Sequence, residues 1–273
     1  MNNSIESNNS IENSQFTLKW KAHLEEIFID NEYLRDYIEN ADHGLVHSEN
    51  VYKKALEIYD EFNLEEQSNI NLELIEMMSV FHDIGRFHHK KCDKKHQKCG
   101  MAQVKMYAKK TNMNTEDVSK LSDFVKYHDY MSKDLDPNQK EPYSIEGQIA
   151  RVADKMSVDP VSELRRYWDY GKRIGATLFN TEISMGERLE FSFDKRGTIK
   201  SDQLTYFLAL LGTAPDSINN NVLKQSYIDW SSHKHKAEEE IYKIMEEEGY
   251  QLESIIKVKA IIQLYKTKKH LQF

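Results

Sequence analysis

The chain has 273 residues, 39% of them hydrophobic and 30% charged, which is enough apolar material for one large domain or two small ones. Only 10 Gly and 4 Pro punctuate it, too few for the turns of a β-sandwich or propeller, so an all-α protein is expected. A formal net charge of −8 does not suit a protein that coats nucleic acid, which needs a basic face, but it leaves room for a local basic site.

Cys92 and Cys99 are too few for a disulfide-built scaffold, and the polar opening Met1-Asn2-Asn3-Ser4 does not read as a secretory signal. The longest apolar stretch, around Leu204 to Leu211, falls well short of the roughly 20 residues that cross a bilayer. These features lead to the expectation of a cytoplasmic protein with no membrane partner.

In chain order, residues 1–15 hold a tandem polar hexamer, Asn2–Ser7 then Asn8–Asn13, and are expected to be a disordered tail. Helical periodicity starts at Phe16 with Leu18, Ala22, Leu24 and Ile27. A helix over about 47–62 places Val51, Ala55 and Ile58 on the face of His47. The next, over about 70–84, carries Leu74, Met77, Met78, Phe81 and Ile84 around His82-Asp83 and is expected to stop at Gly85 in a left-handed cap. Helices over about 96–110, 115–128 and from Ser144 onward carry His96, His128 and Asp154 on their apolar stripes. Beyond Tyr170, the alternation Leu189, Phe191, Phe193 leading into Asp194-Lys195-Arg196-Gly197 predicts one short β-hairpin. A long charged helix then runs from about His233 and breaks near Gly249. The expected organisation is a tail (1–15), a helical domain (16–174) and a helical extension (175–273) packed on it.

There are 11 histidines, and His43, His47, His82, His88, His89, His96 and His128 crowd into one window. Five helical stripes place His47, His82-Asp83, His96, His128 and Asp154 where apolar residues would stand. Burying that many titratable groups without compensation costs several kcal/mol each, so they call for a common partner, and a metal is the economical one. Histidine and aspartate without cysteine suit Fe, Mn, Zn, Ni or Co. His82 and Asp83 lie about 100° apart at a helix end, and the two carboxylate oxygens of Asp83 can serve two ions. His43, four residues before His47, is a near-site candidate. A Cys92, His96, Cys99 zinc cluster is a competing metal reading without a clear fourth ligand.

The ordered series His47, His82-Asp83-Ile84-Gly85-Arg86, His96, His128 and Ala153-Asp154 resembles the HD-domain superfamily of metal-dependent phosphohydrolases over roughly residues 40–170. The resemblance implies that His47, His82, Asp83 and Asp154 ligate a first metal, and that His96 and His128 are the extra histidines of two-metal members, with Asp83 bridging. Some two-metal members have a His-His pair where this chain has His128-Asp129, so one ion or two remain open. The resemblance also implies an HD-type helical core and hydrolysis of a phosphoester or phosphoanhydride of a nucleotide-type substrate by a metal-activated water.

Between Arg86 and Lys98, Lys90, Lys91, Lys94 and Lys95 join them against the single acid Asp93, a local charge of about +5 that would draw a phosphate-rich small molecule. Arg86 is the expected phosphate contact, since the family often has Lys or Arg there. Asp129 is a candidate general acid. Lys155 and Arg165-Arg166 are candidates for the pocket mouth. The alternative to an enzyme is a module that binds metal and nucleotide without turnover.

Overall fold

The computed structural model describes residues 14–28, 37–38, 43–87, 96–128, 144–173, 175–190, 202–205, 208, 220–231 and 234–269. Among these every regular element is helical, as the low Gly and Pro content predicts. Two compact units divide the chain between Ser157 and Val158.

The first unit contains α1 (Gln15–Ile27), α2 (Leu45–Tyr59), the short α3 (Leu64–Gln67), α4 (Leu72–Phe81), a 3-10 turn (Ile84–Phe87), α5 (His96–Thr111), α6 (Thr115–Tyr127) and α7 (Ile145–Met156). Polar caps set the starts. The side chains of Ser14, Asn71, Asn114 and Ser144 each accept a backbone N–H from the first turn of α1, α4, α6 and α7. Helix α5 ends where Asn112 turns left-handed, with φ 53°.

Residues Leu74 to Phe81 of α4 are buried on every side, which makes α4 the central rod of the unit. It packs against α2, α6 and α7, and its C-terminal end delivers His82 and Asp83 into the middle of the bundle. Around it the core gathers Trp20, Leu24, Phe81, Val104, Leu121, Phe124 and Val125. Helix α1 is fastened by polar bonds as well as packing: Ser14 and Thr17 hydroxyls donate to the Glu49 carboxylate, and Trp20 Nε1 donates to Glu76 Oε1 at 2.7 Å.

The second unit contains α8 (Pro160–Arg173), α9 (Met185–Glu190), α10 (Asn221–Ser231), α11 (Lys234–Glu247) and α12 (Leu252–Lys269). Its core includes Leu164, Trp168, Ile241, Ile244, Met245, Ile255, Val258 and Ile262. The break between α11 and α12 holds Gly249 at φ +76°, a conformation that suits glycine.

The expected hairpin is not supported at its start, because Leu189 lies in α9; residues 191–201 lie outside the described residues. So does the expected tail as far as residue 13.

Gly85 departs from the expectation of a left-handed cap. It sits inside the 3-10 turn, and the glycines with positive φ among the described residues are Gly175 and Gly249. What requires glycine at 85 is space: an added Cβ would lie 2.0 Å from the His96 carbonyl oxygen and 2.4 Å from the Gly100 nitrogen. The turn and the first residues of α5 are therefore in direct backbone contact.

Candidate metal centre

Five helix ends converge on the site. His82 follows the last residue of α4 and His128 the last residue of α6, His96 opens α5, His47 lies in the first turn of α2, and Asp154 lies in the last turn of α7. All four histidines and Asp83 are buried. The six expected ligands are thus brought together.

They form two trios. In the first, His47 Nε2 lies 3.2 Å from His82 Nε2 and 3.3 Å from Asp154 Oδ1, and His82 Nε2 lies 3.7 Å from the same oxygen. In the second, Asp83 Oδ1 lies 3.7 Å from His96 Nε2 and 3.6 Å from His128 Nε2, and the two nitrogens are 3.4 Å apart. The centre of a nearly equilateral triangle is one edge over √3 from its corners, about 2 Å here, which matches metal–nitrogen and metal–oxygen bonds of about 2.0–2.2 Å. Both donor sets therefore fit a divalent ion in size as well as in chemistry. Asp83 links them, because its Oδ2 faces His82 Nε2 at 3.7 Å while its Oδ1 belongs to the second trio.

Backbone carbonyls orient two of the rings. His82 Nδ1 donates to Ser79 O at 2.8 Å, and His128 Nδ1 donates to Val125 O at 3.0 Å. With Nδ1 carrying the proton, the Nε2 lone pair is the one presented to the site, the arrangement a metal-ligating imidazole needs. These carbonyls stand three residues before each histidine and bear no sequence signal of their own.

The protonation states agree with this role. Burial pushes His82 down to about 4, against the opposing pull of Asp83 and Asp154, so its imidazole is neutral at pH 7. For Asp83, burial alone would raise the carboxyl. The neighbouring His82, His128 and His43 rings and the Arg86 guanidinium overcome it and hold the group well below the usual carboxylate range. Asp154 is likewise held low against burial, by the Lys155 ammonium and by His47 and His82.

Three partly exposed groups rim the carboxylates. His43 Nδ1 donates to Asp83 Oδ2 at 2.9 Å, Arg86 Nε donates to Asp83 Oδ1 at 2.7 Å, and Lys155 Nζ pairs with Asp154 Oδ2 at 2.8 Å. His43 is therefore a neighbour of the ligands, and also forms a third candidate donor group with His47 and Asp83. Arg165, in the second unit, pairs with Glu240 and Glu247 of α11. His96 turns to Asp83 and His128, and Cys92 of the competing Cys-His-Cys reading lies outside the described residues. Asp129, Cys92, His88 and His89 lie outside the described residues.

The family model "HD domain" matches residues 44–159. The fold is similar to a solved HD-superfamily hydrolase from Bacillus thuringiensis at 18% identity and a TM-score of 0.50, covering 86% of this chain and 100% of that one. It is also similar to a solved protein from Lactobacillus plantarum at 15% identity and a TM-score of 0.53, covering 86% and 97%. No curated protein matches the chain. Among the described residues no helix is long and apolar enough to cross a membrane. The chain therefore carries an HD domain in residues 44–159.

Proposed function

We propose that this protein is a metal-dependent phosphohydrolase that cleaves a phosphoester or phosphoanhydride of a nucleotide-type small molecule. The observation that carries the reading is the meeting of two ligand trios at one carboxylate, Asp83. His47, His82 and Asp154 would hold one divalent ion and Asp83, His96 and His128 a second. Ions drawn from Fe, Mn, Zn, Ni or Co, so held, make water nucleophilic near neutral pH and neutralise charge on phosphoryl oxygens.

The remaining roles fall to the protein. Asp83 holds the trios in register. Arg86, Lys155 and His43, placed at the partly exposed rim, supply hydrogen-bond donors for anionic oxygens of a substrate. The run of cations from Arg86 to Lys98 supports a substrate rich in phosphate, and Asp129 is the proposed acid for the leaving oxygen.

The test is a panel of linear, cyclic and dinucleoside phosphates assayed with Mn, Fe, Co, Ni and Zn, with metal content measured on the protein as purified. Product formation lost in Asp83→Ala is expected. Tight nucleotide binding without turnover under every metal would overturn the catalytic reading in favour of a binding module. Absence of any bound transition metal would remove both.

A further inference from the structure

The two trios are not equivalent, because the cations at the rim meet their carboxylates differently. Lys155 pairs with Asp154 through Oδ2, while the oxygen that completes the first trio is Oδ1. Arg86 donates from Nε to Asp83 Oδ1, the same oxygen that lies 3.7 Å from His96 and 3.6 Å from His128. One corner of the second triangle is thus already engaged by a permanent positive charge. Asp83 Oδ2 offers no substitute corner there, since it accepts from His43 and faces His82.

We propose that Arg86 competes with the second cation for Asp83 Oδ1, so that the Asp83–His96–His128 position fills last. This rests on the two-ion reading above. A guanidinium and a divalent ion on one oxygen repel each other, and the guanidinium, unlike a histidine, cannot shed its charge to make way. Binding of the second ion therefore requires Arg86, which is partly exposed, to move off the carboxylate. An anion that takes up the guanidinium favours that swing. By reciprocity, anion binding tightens the second ion and the second ion tightens the anion. Arg86 becomes a device that makes completion of the centre depend on the arrival of a negatively charged ligand.

The experiment is calorimetric titration of Mn(II) into the metal-stripped full-length protein, comparing the original chain with Arg86→Gln and Arg86→Lys, each with and without inorganic phosphate. An opposite charge close to a carboxylate shifts its affinity for a competing cation by about tenfold or more. In Arg86→Gln the second equivalent should therefore bind about tenfold tighter while the first is unchanged. Arg86→Lys, which keeps the charge, should stay near the original chain. Phosphate should tighten the second equivalent more in the original chain than in Arg86→Gln. Two equivalents with an unaltered or weaker second step in Arg86→Gln, or equal responses to phosphate, would overturn the proposal and leave the two-ion reading standing. A single equivalent in the original chain, with His96→Ala binding as well, would overturn both.

Discussion

Gly85 and Gly100 lie so close that a methyl group on Gly85 would stand 2.4 Å from the Gly100 nitrogen, and one on Gly100 would stand 2.7 Å from Val125 Cγ1. Through this contact the turn after His82-Asp83 is seated on the start of α5, which carries His96. Gly85→Ala is expected to force the two backbones apart, costing about 1–3 kcal/mol as other overpacking changes do. The readout is the denaturation midpoint together with Mn(II) stoichiometry: loss of the second equivalent with the first retained supports the spacer role. A variant with unaltered midpoint and two equivalents would contradict it.

The buried neutrality of His82 sets a pH dependence for the metal-free protein. Its folded value of about 4 lies below the ordinary 6.5, so between these limits the unfolded chain binds the proton and the folded one does not. Stability should therefore fall as pH falls from 6.5 to about 4, by up to about 3 kcal/mol for this one group. Below that window Asp83 and Asp154, whose values are depressed, contribute further loss as they protonate. Urea denaturation in chelator at pH 7, 5.5 and 4.5 measures the slope, and His82→Gln should flatten its upper part. An equal slope in both proteins would show that another group titrates.

The two trios predict separable losses. His96→Ala removes a corner of the second triangle alone, so one equivalent of metal should remain, held by His47, His82 and Asp154. Asp154→Asn should do the reverse damage and weaken the first equivalent by more than the roughly tenfold that loss of a mere supporting partner costs. Elemental analysis after gel filtration distinguishes them. Identical metal content in the two variants would argue against two positions.

In the second unit, Arg188 and Asp202 are an ion pair with no solvent exposure of either side chain, extended by Thr205 and the Asn180 carbonyl. Arg188→Met leaves Asp202 charged and buried, and should cost about 3–5 kcal/mol. Replacing both residues by leucine and methionine should recover most of it. Equilibrium unfolding decides, and a loss below 1 kcal/mol in the single variant would mean the pair is solvated in solution.

Much of the helical frame and of the candidate donor cluster is legible in the sequence, because a buried polar residue on an apolar stripe is conspicuous: His47 ahead of Val51, Ala55 and Ile58, or His128 after Leu121 and Val125. Helix ends are legible where a cap has a side-chain signature, as at Asn114 and Ser144. What periodicity does not carry is contact between segments. Gly85 reads locally as a terminator, yet its role is set by α5. The pairing of Arg86 with Asp83 Oδ1 rather than Oδ2 is a matter of rotamer and approach that no spacing encodes. Leu189 alternates with Phe191 and Phe193 in strand fashion and still lies in a helix, since so short an alternation does not outweigh its surroundings.

The carbonyl locks on His82 and His128 have a kinetic consequence. Both residues are C-caps, and each also donates its backbone N–H to the preceding turn, His82 to Met78 O and His128 to Phe124 O. Ring orientation is thus tied to the last turn of α4 and α6, the part of a helix that opens most readily. The lifetime of a bound ion is then bounded by how often those two turns fray, and amide hydrogen exchange at positions 82 and 128 should slow on metal binding in step with the metal's own off-rate. Exchange there that ignores the metal would uncouple the centre from its helix ends.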